Sequence, residues 1–138
     1  WEEMRLAAFL QKVTRMDPEV LPATTVLKMA TIGGATAIGL GDDVGSLEKG
    51  KRADIIQVAL DDVHHVPTFD VISHLVYVTD EQDVASVVVD GALLMRDGEF
   101  LTLDTDRITA EANALAARIQ SALAARNTGA AAPAKDQE

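Results

Sequence analysis

From Met4 to Ile38 apolar residues recur three and four apart, whereas from Ile55 onward they come in short β-branched runs cut by Gly and Asp. The hydrophobic period therefore changes from about 3.6 to about 2, from helix to strand. The change falls in the stretch Gly45 to Leu60, GSLEKGKRADIIQVAL. There Gly45 and Gly50 supply turns, and the nearly continuous apolar run Ile55 to Leu60 suits a strand covered on both faces. Ahead of it, a helix is expected from Glu2 through Val13. It is apolar around much of its girth, which suits packing between neighbours, and Asp17-Pro18 ends it. A second helix opens at Pro22 and runs through Val26, Leu27, Met29 and Ala30 until Gly33-Gly34 interrupts it. A short turn, Ala35 to Ile38, then closes at Gly39, a natural left-handed C-terminal residue.

Beyond the joint, Asp83 to Leu103 carries the clearest strand signal. Val87-Val88-Val89, the turn Asp90-Gly91, Ala92 to Met95, the turn Asp97-Gly98 and Glu99 to Leu101 read as a β-meander. Asp104 stands where an N-cap belongs. Ile108, Ala112, Leu115, Ile119 and Leu123 step by about one helical turn each, with Asp106 and Glu111 early and Arg118 and Arg126 late, as the helix dipole favours. The last residues, TGAAAPAKDQE, offer no large apolar side chain, so a disordered tail is expected over 128–138.

Composition narrows the class of partner. The chain has 138 residues, 48% of them apolar, enough for an ordinary core. Its 12 basic and 22 acidic residues leave a net charge of −10, which disfavours a phosphate-backbone partner such as nucleic acid. No apolar run approaches the roughly 20 residues that span a bilayer, so no membrane partner is expected. The chain lacks cysteine, which removes disulfide and thiolate chemistry and fits a reducing cytoplasm. It begins at Trp1, without Met, in sequence already helical and without an N-cap. Either the sequence is entered part-way through a longer chain or its terminus is processed.

Candidate chemistry is sparse. His64 and His65 are adjacent, and in extended chain neighbouring side chains point to opposite faces, which places them badly for one metal ion. With His74 they are the only three histidines, and no H-x-H or H-E-x-x-H spacing occurs. Ser73-His74 lacks the opposed geometry of a nucleophile and its base, so His74 is expected to be structural. Asp90 and Asp97, each before Gly, are explained by hairpin geometry rather than metal ligation. Gly33, Gly34, Ala35 and Ala37 suggest tight packing, because no G-x-G-x-x-G follows a strand and no P-loop lysine is present. Lys49, Lys51, Arg52 and Asp54 invite comparison with an anion site. They fit better as a solvated turn (Lys49-Gly50-Lys51-Arg52) followed by a strand-edge polar contact at Asp54.

Three stretches together resemble the metal-dependent amidohydrolases, in the branch of methylthioadenosine/S-adenosylhomocysteine deaminases and triazine chlorohydrolases. Met29 to Leu40, MATIGGATAIGL, is similar to that branch's MATxxGAxALGL, and Gly45 to Leu60 to the superfamily's GSLExGKxADLxxxD. Phe69 to Tyr77, FDVISHLVY, is close to YDPxSHLVY, and Val89-Asp90-Gly91 follows VxVDGxxVxxDG. The helix EEMRLAAFLQK narrows the branch further. Val71 stands where proline is usual, and Gly34 follows Gly33 where the family often has Asn-Gly.

The resemblance implies an α/β architecture: the last helices of a (β/α)₈ amidohydrolase barrel, the C-terminal share of a small composite β-sandwich, and a closing helix. The expected divisions are 1–40, terminal barrel helices; 41–103, sandwich segment; 104–127, C-terminal helix; and 128–138, tail. It implies a complete enzyme that hydrolytically deaminates or dechlorinates a purine-nucleoside-like or triazine ring, with an adenosine thioether deaminase favoured. Zn²⁺ or a similar divalent ion would be its cofactor, activating water for attack on the ring carbon. The ion's ligands, an H-x-H pair, two later histidines and an aspartate, would lie upstream of Trp1. No residue of this chain matches them, so none is assigned a catalytic, cofactor-binding or metal role. The expected partners are the upstream barrel, the small-molecule substrate and a second copy in a homo-oligomer. The rival expectation is a free-standing, non-catalytic β-plus-helix assembly module.

Overall fold

The computed structural model describes residues 1–129, in two units: Trp1–Thr102 and a second beginning at Leu103. In the first, α1 (Glu2–Arg15) carries Glu2 and Glu3 in its first turn and Lys12 and Arg15 in its last, in the sense the helix dipole rewards. It ends at Arg15, two residues before Asp17-Pro18. Met16 turns left-handed at φ 52°, and its N–H reaches back to the Lys12 and Val13 carbonyls. Helix α2 (Ala23–Lys28) follows Pro22, as the proline signal indicated.

The expected interruption is present but falls at Thr31, two residues before Gly33-Gly34: its φ −119° and ψ −106° are not helical, and they kink the wide turn Met29–Gly33 that separates α2 from α3 (Gly34–Ala37). The glycines serve this wide turn. A Cβ on Gly33 would lie 2.9 Å from the Lys28 carbonyl oxygen, so the bulge leaves no room for a side chain there. Of the four residues expected to pack tightly, Ala35 does, at 7% exposed, whereas Gly34 is only half-buried and Gly33 and Ala37 are exposed.

Four antiparallel strands, β1 (Ile55–Val58), β2 (Val84–Val89), β3 (Ala92–Arg96) and β4 (Glu99–Phe100), form one sheet in chain order. The meander is as read from the sequence. Asp90 and Asp97 adopt φ 50° and 51°, and Gly91 and Gly98 φ 78° and 79°, the left-handed pair that two-residue hairpin loops require. Strand β1 departs from expectation. It is the sheet's edge rather than a strand covered on both faces, and Ile55 and Ile56 are 40% and 50% exposed. Its Asp54 makes the expected edge contact, accepting the Asp90 N–H at 2.6 Å on Oδ1. Lys51 is not solvated as anticipated. Its side chain is 12% exposed, and its ammonium donates to the Gly41 carbonyl at 2.6 Å and to Ser46 Oγ at 2.7 Å.

Between β1 and β2 runs α4 (Val71–Tyr77), a helix despite three β-branched residues among Val71, Ile72 and Val76. Two effects outweigh propensity. Val76 is fully buried against Ala8, Ala23 and Val26, joining α4 to α1 and α2 in the core. Asp70 caps the helix, its Oδ2 accepting the Ser73 N–H at 2.8 Å. The Ser73 hydroxyl and N–H hold the exposed Asp70 carboxyl below its ordinary value. A depressed carboxyl contributes stability that is complete above the unfolded value, about 3.9, and is lost as pH falls through the folded one. Asp70→Ala is therefore expected to lower the thermal midpoint at pH 7, with the deficit closing as pH drops below about 4. Asp70→Asn, which still caps but bears no charge, should show no such pH dependence in the same melts.

Helix α5 (Thr105–Gly129) makes up the described part of the second unit. Asp104 caps it as expected, its Oδ1 accepting the Arg107 N–H at 2.9 Å. Of the tail expected over 128–138, residues 128 and 129 instead belong to α5, and residues 130–138 lie outside the described residues. No described helix is long and apolar enough to cross a membrane.

Candidate functional site

The chain's three histidines come together. Asp62 caps a single 3₁₀ turn, Val63–His65, so His64 and His65 are not in extended chain and do not point to opposite faces. Their rings lie 4.0 Å apart, centre to centre, so adjacency does not separate them. A second 3₁₀ turn, Glu81–Asp83, is closed by a capping box in which Asp80 and Asp83 exchange side-chain and backbone bonds. This fixes the Asp83 carboxylate. Its Oδ2 accepts the Asp80 N–H at 2.9 Å, and Oδ1 faces both histidines.

His64 Nε2 lies 3.0 Å from Asp83 Oδ1 and His65 Nε2 3.2 Å from the same atom. His64 is half-exposed, whereas His65, His74 and Asp83 are buried. A hydrogen bond of 2.9 Å joins His65 Nδ1 to His74 Nε2, on α4. His65 Nε2, despite its distance from Asp83, lies off the line a hydrogen bond needs and is a buried nitrogen without a hydrogen-bond partner. Burial pushes the Asp83 carboxyl up, but the Asp80 N–H and the neighbouring His65 and His64 outweigh it and hold it below the ordinary value. Asp83 is thus a carboxylate at neutral pH.

The network continues to α1. The His74 carbonyl accepts from the Thr79 N–H and hydroxyl, the Thr79 carbonyl from Arg5 Nη2 at 2.7 Å, and the Leu75 carbonyl from Trp1 Nε1 at 2.6 Å. His74, expected to be structural, is buried and hydrogen-bonded at this junction. Ser73 instead serves the cap of α4 through its N–H, and Asp90 and Asp97 occupy turns. Asp83 was not singled out from sequence. The signal that could have found it is D-E-Q-D, Asp80 to Asp83, a capping-box spacing.

These residues do not match the ligand set that the resemblance implies for the catalytic ion. That set requires four histidines including an H-x-H pair, and this chain has three histidines, two of them adjacent. No catalytic step through a metal is derived from it.

The fold and the arrangement of motifs on it agree with comparison to known proteins. The model of the amidohydrolase family matches residues 1–94, and the chain belongs to that family. Among curated proteins it is 47% identical, over 118 residues, to a 5-methylthioadenosine/S-adenosylhomocysteine deaminase of Desulforudis audaxviator, covering 86% of this chain and 27% of that protein. A 5'-deoxyadenosine deaminase of Methanosarcina mazei is 43% identical over 125 residues, covering 88% of this chain and 28% of its own length. Among solved structures, a zinc-bound adenosine deaminase from Xanthomonas campestris superposes with a TM-score of 0.83 at 37% identity, over 87% of this chain and 27% of that one. An atrazine chlorohydrolase from Arthrobacter aurescens TC1, complexed with zinc, gives a TM-score of 0.72 at 34% identity, over 82% of this chain and 25% of its own. The chain thus spans about a quarter of the length of the relatives it matches.

Proposed function

We propose that this chain is the C-terminal segment of a metal-dependent aminohydrolase that deaminates a purine-nucleoside-like ring, with adenosine thioethers as the favoured substrates. The observation that carries the reading is the 47% identity to a methylthioadenosine/S-adenosylhomocysteine deaminase along 86% of the chain. The reaction replaces a ring amino group with oxygen from water and releases ammonia. The ion that activates the water, Zn²⁺ or a similar divalent cation, is held by the upstream barrel in this reading.

In the same reading 1–40 supplies the last barrel helices, 41–103 a share of a composite sandwich, 104–127 a closing helix and 128–138 a tail. Exposed apolar side chains on α1, Leu6, Phe9, Leu10 and Val13, support this division, because a barrel wall would cover them. A cytoplasmic homo-oligomer completes the proposal.

The test is ammonia and chloride release by the intact protein from a panel of methylthioadenosine, S-adenosylhomocysteine, guanine and chlorotriazines. Ammonia from the adenosine thioethers, abolished by a chelator and restored by Zn²⁺, is the expected result. Turnover confined to chlorotriazines would overturn the deaminase assignment, and no turnover of any would overturn the enzyme assignment.

A further inference from the structure

We propose that His64, His65 and Asp83 form a transition-metal site, suited above all to Zn²⁺, that pins the Val63–His65 turn to the Glu81–Asp83 turn. The three side chains can offer one ligand atom each with all three atoms within 4.8 Å of one another. Two imidazole nitrogens and a carboxylate oxygen are a donor set that Zn²⁺ accepts, with bonds of about 2.0–2.2 Å. Such bonds in a tetrahedron place neighbouring ligand atoms about 3.3 Å apart. The two nitrogens lie 3.0 and 3.2 Å from Asp83 Oδ1, close to that spacing, and within 4.8 Å of each other. A fourth position falls to water, because His64 is 43% exposed and opens the cluster to solvent.

The buried His65 Nε2 is the independent observation. If the proton of His65 sits on Nδ1, donated to His74, then Nε2 presents a lone pair to a carboxylate oxygen 3.2 Å away. Two electron-rich atoms then face each other without a proton between them. A cation removes that conflict. The alternative tautomer places a proton on Nε2 that faces Asp83 Oδ1 at 3.2 Å but too far off line for a well-formed hydrogen bond, a poorly satisfied buried donor. The Nδ1–His74 bond is the outer support that metal-bound histidines use to fix tautomer and ring orientation. The Asp80 N–H does the same for the carboxylate through Oδ2.

An ion here would tie together segments 19 residues apart in sequence, next to the core helix α4 through His74. Its role is therefore a clamp, and its binding energy adds to the stability of this region. The proposal does not rest on the deaminase reading, and its test reads metal rather than ammonia.

The intact protein, stripped with a chelator, is dialysed against Co²⁺ or Zn²⁺ and its metal counted, beside His64→Ala and Asp83→Asn. His64→Ala alters a half-exposed side chain and is the variant that decides the matter if Asp83→Asn fails to fold. The expected result is one equivalent fewer in each folded variant, with loss of a tetrahedral Co²⁺ visible band and a smaller rise of the melting midpoint on adding Zn²⁺. Wild-type stoichiometry in folded His64→Ala overturns the proposal, whatever the outcome of the ammonia assay.

Discussion

Replacing Gly45 with alanine is expected to destabilise the first unit by about 2–5 kcal/mol, from backbone strain and overpacking together. Gly45 adopts φ +92°, and a Cβ there would lie 2.8 Å from the Ala35 methyl and 2.8 Å from the Ile32 Cα. Neither neighbour can rotate away, since one is a methyl fixed to the helix and the other is backbone. Gly50 provides the contrast within the same motif. Its φ is +100°, but an added Cβ would meet nothing within 4 Å, so Gly50→Ala should cost only the conformational part, about 1–2 kcal/mol. Denaturant unfolding of the two variants beside wild type measures the difference. Equal losses would show that close approach to α3 contributes nothing and that the motif keeps Gly45 for its φ alone.

The second large effect is expected at Ala8. It is 0% exposed and shares a cluster with Ala23, Val26 and Val76, where α1, α2 and α4 meet. Small side chains at Ala8 and Ala23 let the helices approach closely, and Ala8→Leu would force them apart. The expected loss is about 1–3 kcal/mol, the range for overfilling a packed core. Gln11→Leu on the exposed side of the same helix adds a comparable apolar group and should stay within about 0.5 kcal/mol. Comparable midpoints for the two leucine variants would sink the account of Ala8 as the contact point.

Much of the fold was legible because its signals are local. Asp90-Gly91 and Asp97-Gly98 encode their turns by backbone preference alone, and Asp104 caps α5 within three residues. The positions that misled depend on what lies elsewhere in the chain. Gly33-Gly34 mark a break because glycine weakens a helix, yet the kink itself falls at Thr31, and Gly33 is where the widened turn leaves no room for a Cβ. Ile55 to Leu60 shows what the strand favours on its faces, not which residues supply the cover. Lys51 looked solvated from its charged neighbours, and only the fold brings the Gly41 carbonyl to its ammonium.

The histidine cluster was illegible for a related reason. In extended chain His64 and His65 would point to opposite faces, and a single 3₁₀ turn brings them together. Asp83 joins from a second turn, and no periodic pattern connects the two. The family, by contrast, was carried by motifs whose order and spacing survive without any knowledge of the fold, and the match over residues 1–94 bears this out.

The sheet's chain order also carries an expectation for the sequence of its assembly. Strands β2, β3 and β4 are joined by two tight left-handed turns, so their pairing closes short loops at small entropic cost. Strand β1 pairs with β2 only across residues 59–83, through which α4 and both 3₁₀ turns must pass. The meander is therefore expected to form early and fast, with β1 added late, once the intervening helix is in place. Until it docks, the outer edge of β2 is a row of unpaired amides and carbonyls, open to any strand in reach. Asp54, by accepting the Asp90 N–H beside the Gly91-to-Ala53 backbone bond, sets the register at which the correct strand closes that edge.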